Sequence, residues 1–156
     1  MLSNIWGKLT KYYKLDLSNP YCKYFINAQS NDLKILKQQR HLCYYNIDVP
    51  FCYLYLTKYN GINLCVYIEI VDSNTIPRMI AVKHRFDDHM YDQDTLFEGK
   101  MVYGNDNQWH YLISDLIIYN NHSYQSNLLE KLRVINNILF DNHRPDKILD
   151  PCCISL

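Results

Sequence analysis

Alternation of apolar and polar residues in the middle of the chain predicts a β-hairpin. Residues 51–57 place Leu54 and Leu56 on one face, and residues 62–70 repeat the same period of two. Successive side chains of a strand point to opposite faces of a sheet, so both segments are typical of strands. Between them lies Lys58-Tyr59-Asn60-Gly61, and Asn-Gly between two alternating runs favours a two-residue turn.

Three further segments have strand character: residues 79–83, 95–103 and 109–119. They are separated by connections rich in Asp and Asn, which are typical of turns. Short connections of this kind favour antiparallel neighbours.

Two segments have helical periodicity. Residues 31–42 carry leucines among basic side chains and indicate a surface helix. Asn127 and Glu130 form a capping-box pattern, followed by apolar residues at helical spacing. Strands and helices together predict an α+β fold, with a mostly antiparallel, twisted sheet flanked by helices.

Composition and charge narrow the class of protein. A chain of 156 residues with 48% hydrophobic content can fill the core of one domain. Lys+Arg 16 against Asp+Glu 16 excludes the broad basic surface that holds long nucleic acids through their phosphates. No segment has signal-peptide character or transmembrane length, which predicts an intracellular, cytoplasmic protein without a membrane partner. The abundance of Asn, Tyr, Ile and Lys suggests an AT-rich genome, such as a viral one, so a viral factory or virion is an alternative location.

The cysteines and histidines predict no metal site. The chain has six cysteines but no Cys-x-x-Cys pair, and reduced thiols are expected inside a cell. Cys152 and Cys153 are adjacent, which is a poor spacing for tetrahedral zinc, and His143 is their only nearby partner. The run Lys83-His84-Arg85 is interpreted as a solvated strand end, with RNA or triphosphate contact as the alternative.

Lys58 is the first candidate for covalent chemistry. A lysine attacks a phosphorus atom only as the free amine, so its pKa must fall through burial or nearby positive charge. Lys58 is in phase with Leu54 and Leu56, which predicts that it emerges at the edge of a buried face with a lowered pKa. The alternative is a lysine beside an ordinary hairpin turn.

Four segments in a fixed order support a nucleotide-transfer hypothesis. They are Phe25-Ile26-Asn27-Ala28-Gln29, Lys58-Tyr59-Asn60-Gly61, Asp94-Thr95-Leu96-Phe97-Glu98-Gly99-Lys100 and Tyr111-Leu112-Ile113-Ser114-Asp115. In this order the chain resembles the mRNA guanylyltransferases, the capping-enzyme branch of the covalent nucleotidyltransferase superfamily that also contains DNA and RNA ligases. The resemblance covers residues 25–156 as a partial nucleotidyltransferase domain and leaves residues 1–24 as an N-terminal lead-in.

The resemblance implies a role for individual residues. Lys58 falls on the lysine that forms lysyl-GMP, Tyr111 on the aromatic ring that stacks on guanine, and Asp115 on the acidic residue of the same motif. Lys100 replaces a family carboxylate. The implied nucleotide-binding residues are Gln29, Asn60 (at the motif aspartate), Gly61 (at the motif glycine), Glu98, Tyr111 and Asp115.

The implied function is GTP binding and GMP transfer to an RNA 5′ end, with Mg²⁺ or Mn²⁺ as cofactor. The family's fourth and fifth motifs and its oligonucleotide-binding domain are absent from this sequence, so a complementing polypeptide or further chain would have to supply them. One alternative is a catalytically inactive relative that binds nucleotide or cap, or serves as a structural subunit of a capping or transcription assembly. Another is an unrelated α+β protein with a tight hairpin at Asn60-Gly61.

Overall fold

One sheet organises the part of the chain that the computed structural model describes, residues 2–15, 49–70 and 77–156. Within these residues the sheet has seven strands, and neighbours run antiparallel except that the last strand lies parallel to the fifth. The strands are β1 (Phe51–Tyr59), β2 (Ile62–Glu69), β3 (Arg78–Val82), β4 (Thr95–Tyr103), β5 (Trp109–Tyr119), β6 (His122–Ser123) and β7 (Cys153–Ser155). The predicted α+β class with a mostly antiparallel sheet is confirmed.

The strand order is β3-β2-β1-β4-β5-β6, with β7 beside β5. The β1–β2 hairpin is confirmed, with Tyr59 opposite Ile62 next to the turn. The other three predicted strands are also confirmed, as β3, β4 and β5. β1 pairs with β2 on one side and β4 on the other, so its backbone is a central element of the sheet.

Short helices lie against the sheet in the described ranges. They are α1 (Leu2–Gly7), which continues as a π-helical turn (Lys8–Tyr12), α2 (Asp88–Asp92) between β3 and β4, and α3 (Leu128–Asn137), which ends in a second π-helical turn (Ile138–Asn142). The predicted cap of α3 is confirmed, because the Asn127 side chain accepts a hydrogen bond from the Glu130 backbone N–H at 3.0 Å. The predicted helix over residues 31–42 lies outside the described residues.

Both faces of the sheet are covered at β1. On one face Leu54 and Leu56 of β1 share a core with Ile135 of α3. On the other face Tyr53 and Tyr55 of β1 share a core with α1. Burial on both faces explains why β1 is apolar over consecutive positions rather than strictly alternating.

α1 belongs to the second core, although residues 1–24 were predicted as a lead-in. Ile5 and Leu9 of the described N-terminal residues are buried against the sheet. The buried Asp94 also contacts this region. Its carboxylate lies 2.6 Å from Lys8 Nζ. It accepts hydrogen bonds from Thr57 at 2.6 Å and from Tyr13 at 2.5 Å. One carboxylate therefore joins the segment that follows α1 to the end of β1.

In the described ranges, none of the helices has both the length and the apolarity that crossing a bilayer requires.

Candidate functional site

Lys58 lies at the end of β1 beside α2, where its side chain is 39% exposed. Its Nζ is 2.6 Å from a carboxylate oxygen of Asp92. The hydrogen bond from Nζ to Asp92 raises the pKa of Lys58 above that of an ordinary lysine, because it stabilises the charged form. The predicted lowering of this pKa in a desolvated pocket is wrong. As placed here, Lys58 is a solvated ammonium and a poor nucleophile.

Asn60 and Gly61 form the turn of the β1–β2 hairpin. Their φ angles are +50° and +80°, the left-handed conformations that a type I′ turn needs at both central positions. Both residues are exposed, and a Cβ at Gly61 would meet nothing within 4 Å. Glycine is therefore required here by backbone conformation rather than by close approach of another group, which matches the hairpin alternative.

Tyr111 lies inside the core. Its ring is fully buried and packs against the Tyr67 ring at 5.2 Å between centroids. Its hydroxyl donates to the backbone oxygens of Cys52 at 2.9 Å and Phe97 at 3.2 Å. Burial also raises the pKa of Tyr111 well above its usual value. The predicted stacking of this ring on guanine is corrected: both ring faces lie within the protein.

Glu98 and Asp115 are brought together, since they are direct register partners on β4 and β5. Glu98 is buried, and Asp115 forms an ion pair with Lys131 of α3 at 2.8 Å. Lys100, which stands where the family has a carboxylate, holds its Nζ 4.8 Å from the centre of the Phe51 ring. The two carboxylates thus take part in the packing of β4, β5 and α3.

The predicted site residues on β4 and β5 do not lie near Lys58. Glu98 is opposite Tyr53, five positions before Lys58 on β1. At the rise of a strand that separation is about 17 Å, and Tyr111, opposite Met101, is farther still. The residues assigned by resemblance therefore do not fit a Mg²⁺ or Mn²⁺ ion shared with Lys58. Gln29 lies outside the described residues.

Sequence reasoning missed a groove on the α3 side of the sheet. Its volume is about 860 Å³, within the usual range for ligand sites. Cys52, Tyr67 and Cys152 line it together with two aromatic residues at the rim, Tyr103 and Trp109, whose rings are 5.1 Å apart. Trp109 is 49% exposed, which is unusual for so large an apolar side chain. The sequence did not indicate this exposed pair, because Tyr103 and Trp109 belong to the alternating patterns of β4 and β5.

The groove also has polar groups at one end. Glu69 and Arg78 both line it, and their side chains form an exposed ion pair at 3.8 Å. An apolar wall with few polar groups is the usual composition of a small-molecule site.

Sequence reasoning also misplaced His84. The run Lys83-His84-Arg85 was interpreted as a solvated strand end, but His84 is buried between its exposed neighbours. The alternation itself was the available signal, because the middle residue of an extended segment points away from the other two.

Replacing Asp92 with asparagine is expected to lower the pKa of Lys58, because the hydrogen bond to Asp92 is the main cause of its elevation. NMR titration of ¹³C-methylated lysines measures this directly. Asp88→Asn is the matched control on α2: its charge acts on Lys58 only through space, so a smaller change is expected. A pKa for Lys58 below that of ordinary lysines in the unsubstituted protein would contradict the prediction.

No protein-family model and no curated protein sequence matches this chain.

Proposed function

We propose that this protein is a non-catalytic relative of the mRNA guanylyltransferases that binds a guanine nucleotide, or the guanine cap of an RNA, within a capping or transcription assembly. The observation that carries the proposal is the ion pair at 2.6 Å between Lys58 and Asp92, which keeps the candidate nucleophile charged and solvated. The choice of guanine as the base comes from the resemblance of the ordered motifs, whereas the binding place proposed below is lined by other residues.

The groove beside Trp109 is the proposed binding place. Exposed aromatic rings are platforms on which nucleobases stack, at about 1–3 kcal/mol per base. The Watson–Crick edge of guanine presents N–H donors, from which a carboxylate such as Glu69 can accept hydrogen bonds, and Arg78 can pair with phosphate. Cys52, which lines the groove, is six positions before Lys58 on β1, about 20 Å away. A nucleotide there would not reach the lysine.

The enzymatic alternative remains specific enough to test. It assigns GMP transfer through Lys58 to an RNA 5′ end, with Mg²⁺ or Mn²⁺ and a complementing polypeptide. The Lys58-Tyr59-Asn60-Gly61 motif at the expected place in the segment order supports it. It requires Lys58 to leave Asp92 and the residues assigned by resemblance to move together.

Incubating the purified chain with α-labelled GTP and Mg²⁺ or Mn²⁺ is expected to give no acid-labile covalent label, while calorimetry detects saturable binding of GTP or a cap analogue. Binding of ATP is expected to be weaker, because adenine lacks the N1–H donor. Trp109→Ala is expected to weaken GTP binding about tenfold, in line with the loss of one stacked base.

Phe140→Ala is the control for this experiment, because Phe140 is an aromatic residue that is 82% exposed and does not line the groove. It is expected to leave GTP binding unchanged. A label that Lys58→Ala abolishes would support the enzymatic alternative. If GTP binding is unchanged in Trp109→Ala, the groove is not the binding place. If the chain binds neither GTP nor a cap analogue, only the role of a structural subunit is left.

A further inference from the structure

Three buried side chains from separate segments converge near the C-terminus. His84 follows β3, His143 follows the last helical turn, and Asp150 precedes β7. Their side chains are 0%, 6% and 7% exposed. His84 Nδ1 is 3.7 Å from Asp150 Oδ1, and His143 Nε2 is 3.9 Å from Asp150 Oδ2. One ligand atom from each residue lies within 4.8 Å of the other two.

The convergent atoms are not satisfied by hydrogen bonds. Among the described residues, His84 Nδ1, His143 Nε2 and Asp150 Oδ1 are buried atoms without a hydrogen-bond partner. Leaving even one buried polar atom unpaired is destabilising, and native proteins rarely do so. Three such atoms within 4.8 Å of one another form an arrangement that one shared ligand would satisfy.

The outer atoms of the same side chains are held in place. Tyr67 Oη lies 2.9 Å from His84 Nε2, and Asp150 Oδ2 accepts a hydrogen bond from the Asp146 backbone N–H at 2.8 Å. The His143 ring stacks on Phe86 at 4.6 Å. Contacts of this kind orient metal ligands in proteins, and a hydrogen bond from Nε2–H to Tyr67 would leave the Nδ1 lone pair of His84 facing inward.

We propose that His84 Nδ1, His143 Nε2 and Asp150 Oδ1 bind a Zn²⁺ ion. Tetrahedral Zn²⁺ with bonds of about 2.0–2.1 Å separates its ligand atoms by about 3.3–3.5 Å, so the observed 3.7–4.8 Å closes with small side-chain movements. Two imidazoles and a carboxylate suit Zn²⁺, whereas Mg²⁺ and Ca²⁺ prefer all-oxygen sites. Fe²⁺ also uses this ligand set, but it needs more open positions than this buried space offers.

The proposed ion would be structural. It would connect the segment after β3 to the chain that runs from the end of α3 to β7, holding residues 143–152 against the sheet. Cys152 lies beside the same cluster, with its sulfur 3.1 Å from Tyr67 Oη and 3.9 Å from His84 Nε2. That sulfur lies on the Nε2 side of the ring, so we assign the fourth position of the ion to water.

The test uses the full chain, stripped of metal with a chelator and dialysed. Addition of Zn²⁺ is expected to give one bound ion per chain by mass spectrometry and to raise the melting temperature by about 5–10 °C at a hundredfold excess over Kd. Asp150→Asn, which keeps the shape of the side chain, is expected to abolish both effects. Co²⁺ in place of Zn²⁺ is expected to give the intense visible absorption of a tetrahedral site.

His110→Gln is the matched control, because His110 and Asp106 form a histidine–carboxylate pair at the surface, with atoms 2.9 Å apart. It is expected to keep one Zn²⁺ and the full thermal shift. The proposal is overturned if the unsubstituted chain binds no Zn²⁺, if Asp150→Asn still binds one ion with the full thermal shift, or if His110→Gln loses the ion. Should Asp150→Asn fail to fold, His143→Gln and the Co²⁺ spectrum of the unsubstituted chain decide the question.

Discussion

Replacing Tyr111 with alanine is expected to lower the free energy of unfolding by about 4 kcal/mol, the usual cost of removing a large buried ring. The ring is wholly buried, and the ideal Cβ position at Gly99 is only 2.8 Å from its Cζ, so the space around it is closely filled. The substitution also removes the hydroxyl that donates to the Cys52 and Phe97 carbonyls. Urea denaturation followed by circular dichroism measures the change.

Tyr111→Phe separates the ring from its hydroxyl. It keeps the packing and loses the two hydrogen bonds, so a smaller cost of about 1–2 kcal/mol is expected. A ring that stacks on guanine would behave differently, because its removal would abolish GTP binding and change stability little. That outcome would show that Tyr111 faces a ligand and that the core described here is wrong at this position.

The elements of this fold were predictable because their signals are local. The Asn60-Gly61 turn, the period of two in β1 and β2, and the Asn127 cap each depend on a few neighbouring residues. Each of these features folds as the sequence pattern predicts.

The environments of the candidate site residues were not predictable, because they depend on distant contacts. The pKa of Lys58 is set by Asp92, which is 34 residues away. Whether Tyr111 faces a ligand or the core depends on the register of β5 against β4 and on Gly99 beside it. Periodicity identifies a strand, but it does not say which of two covered faces receives a given side chain.

Dependence on distant contacts also explains why the packing of the N-terminal helix against the sheet was not predicted. Nothing in residues 2–15 identifies the surface on which Ile5 and Leu9 are buried, since that surface comes from Tyr53 and Tyr55 of β1. The polar contact that fixes α1 comes from farther along the chain still, at Asp94. The contribution of this contact is therefore better tested by measuring the stability of Asp94 variants than by inspecting the sequence.

Asp94→Ala is expected to lower the free energy of unfolding by about 3 kcal/mol, because it leaves several partners of a buried carboxylate unpaired. The Asp94 side chain is 1% exposed, whereas Lys8 is 41% exposed and can be partly solvated, which places the cost at the low end of the range for buried pairs. Chemical denaturation measures the total. Hydrogen exchange of α1 amides is expected to accelerate as well, because Asp94 connects Lys8 and Tyr13, which follow this helix in the chain, to Thr57 of β1.

Asp92→Ala is the control that distinguishes the buried carboxylate from an exposed one two residues earlier. Its partner Lys58 is solvated, so the denaturation midpoint and the exchange of α1 are expected to stay near those of the unsubstituted protein. Asp94→Asn keeps one acceptor oxygen, which can serve either Thr57 or Tyr13 but not both, and it loses the charge that pairs with Lys8. It is therefore expected to fall between the two alanine variants. If Asp94→Ala and Asp92→Ala were equally mild, the Asp94 carboxylate would not hold α1, and the apolar contacts of Ile5 and Leu9 alone would account for its position.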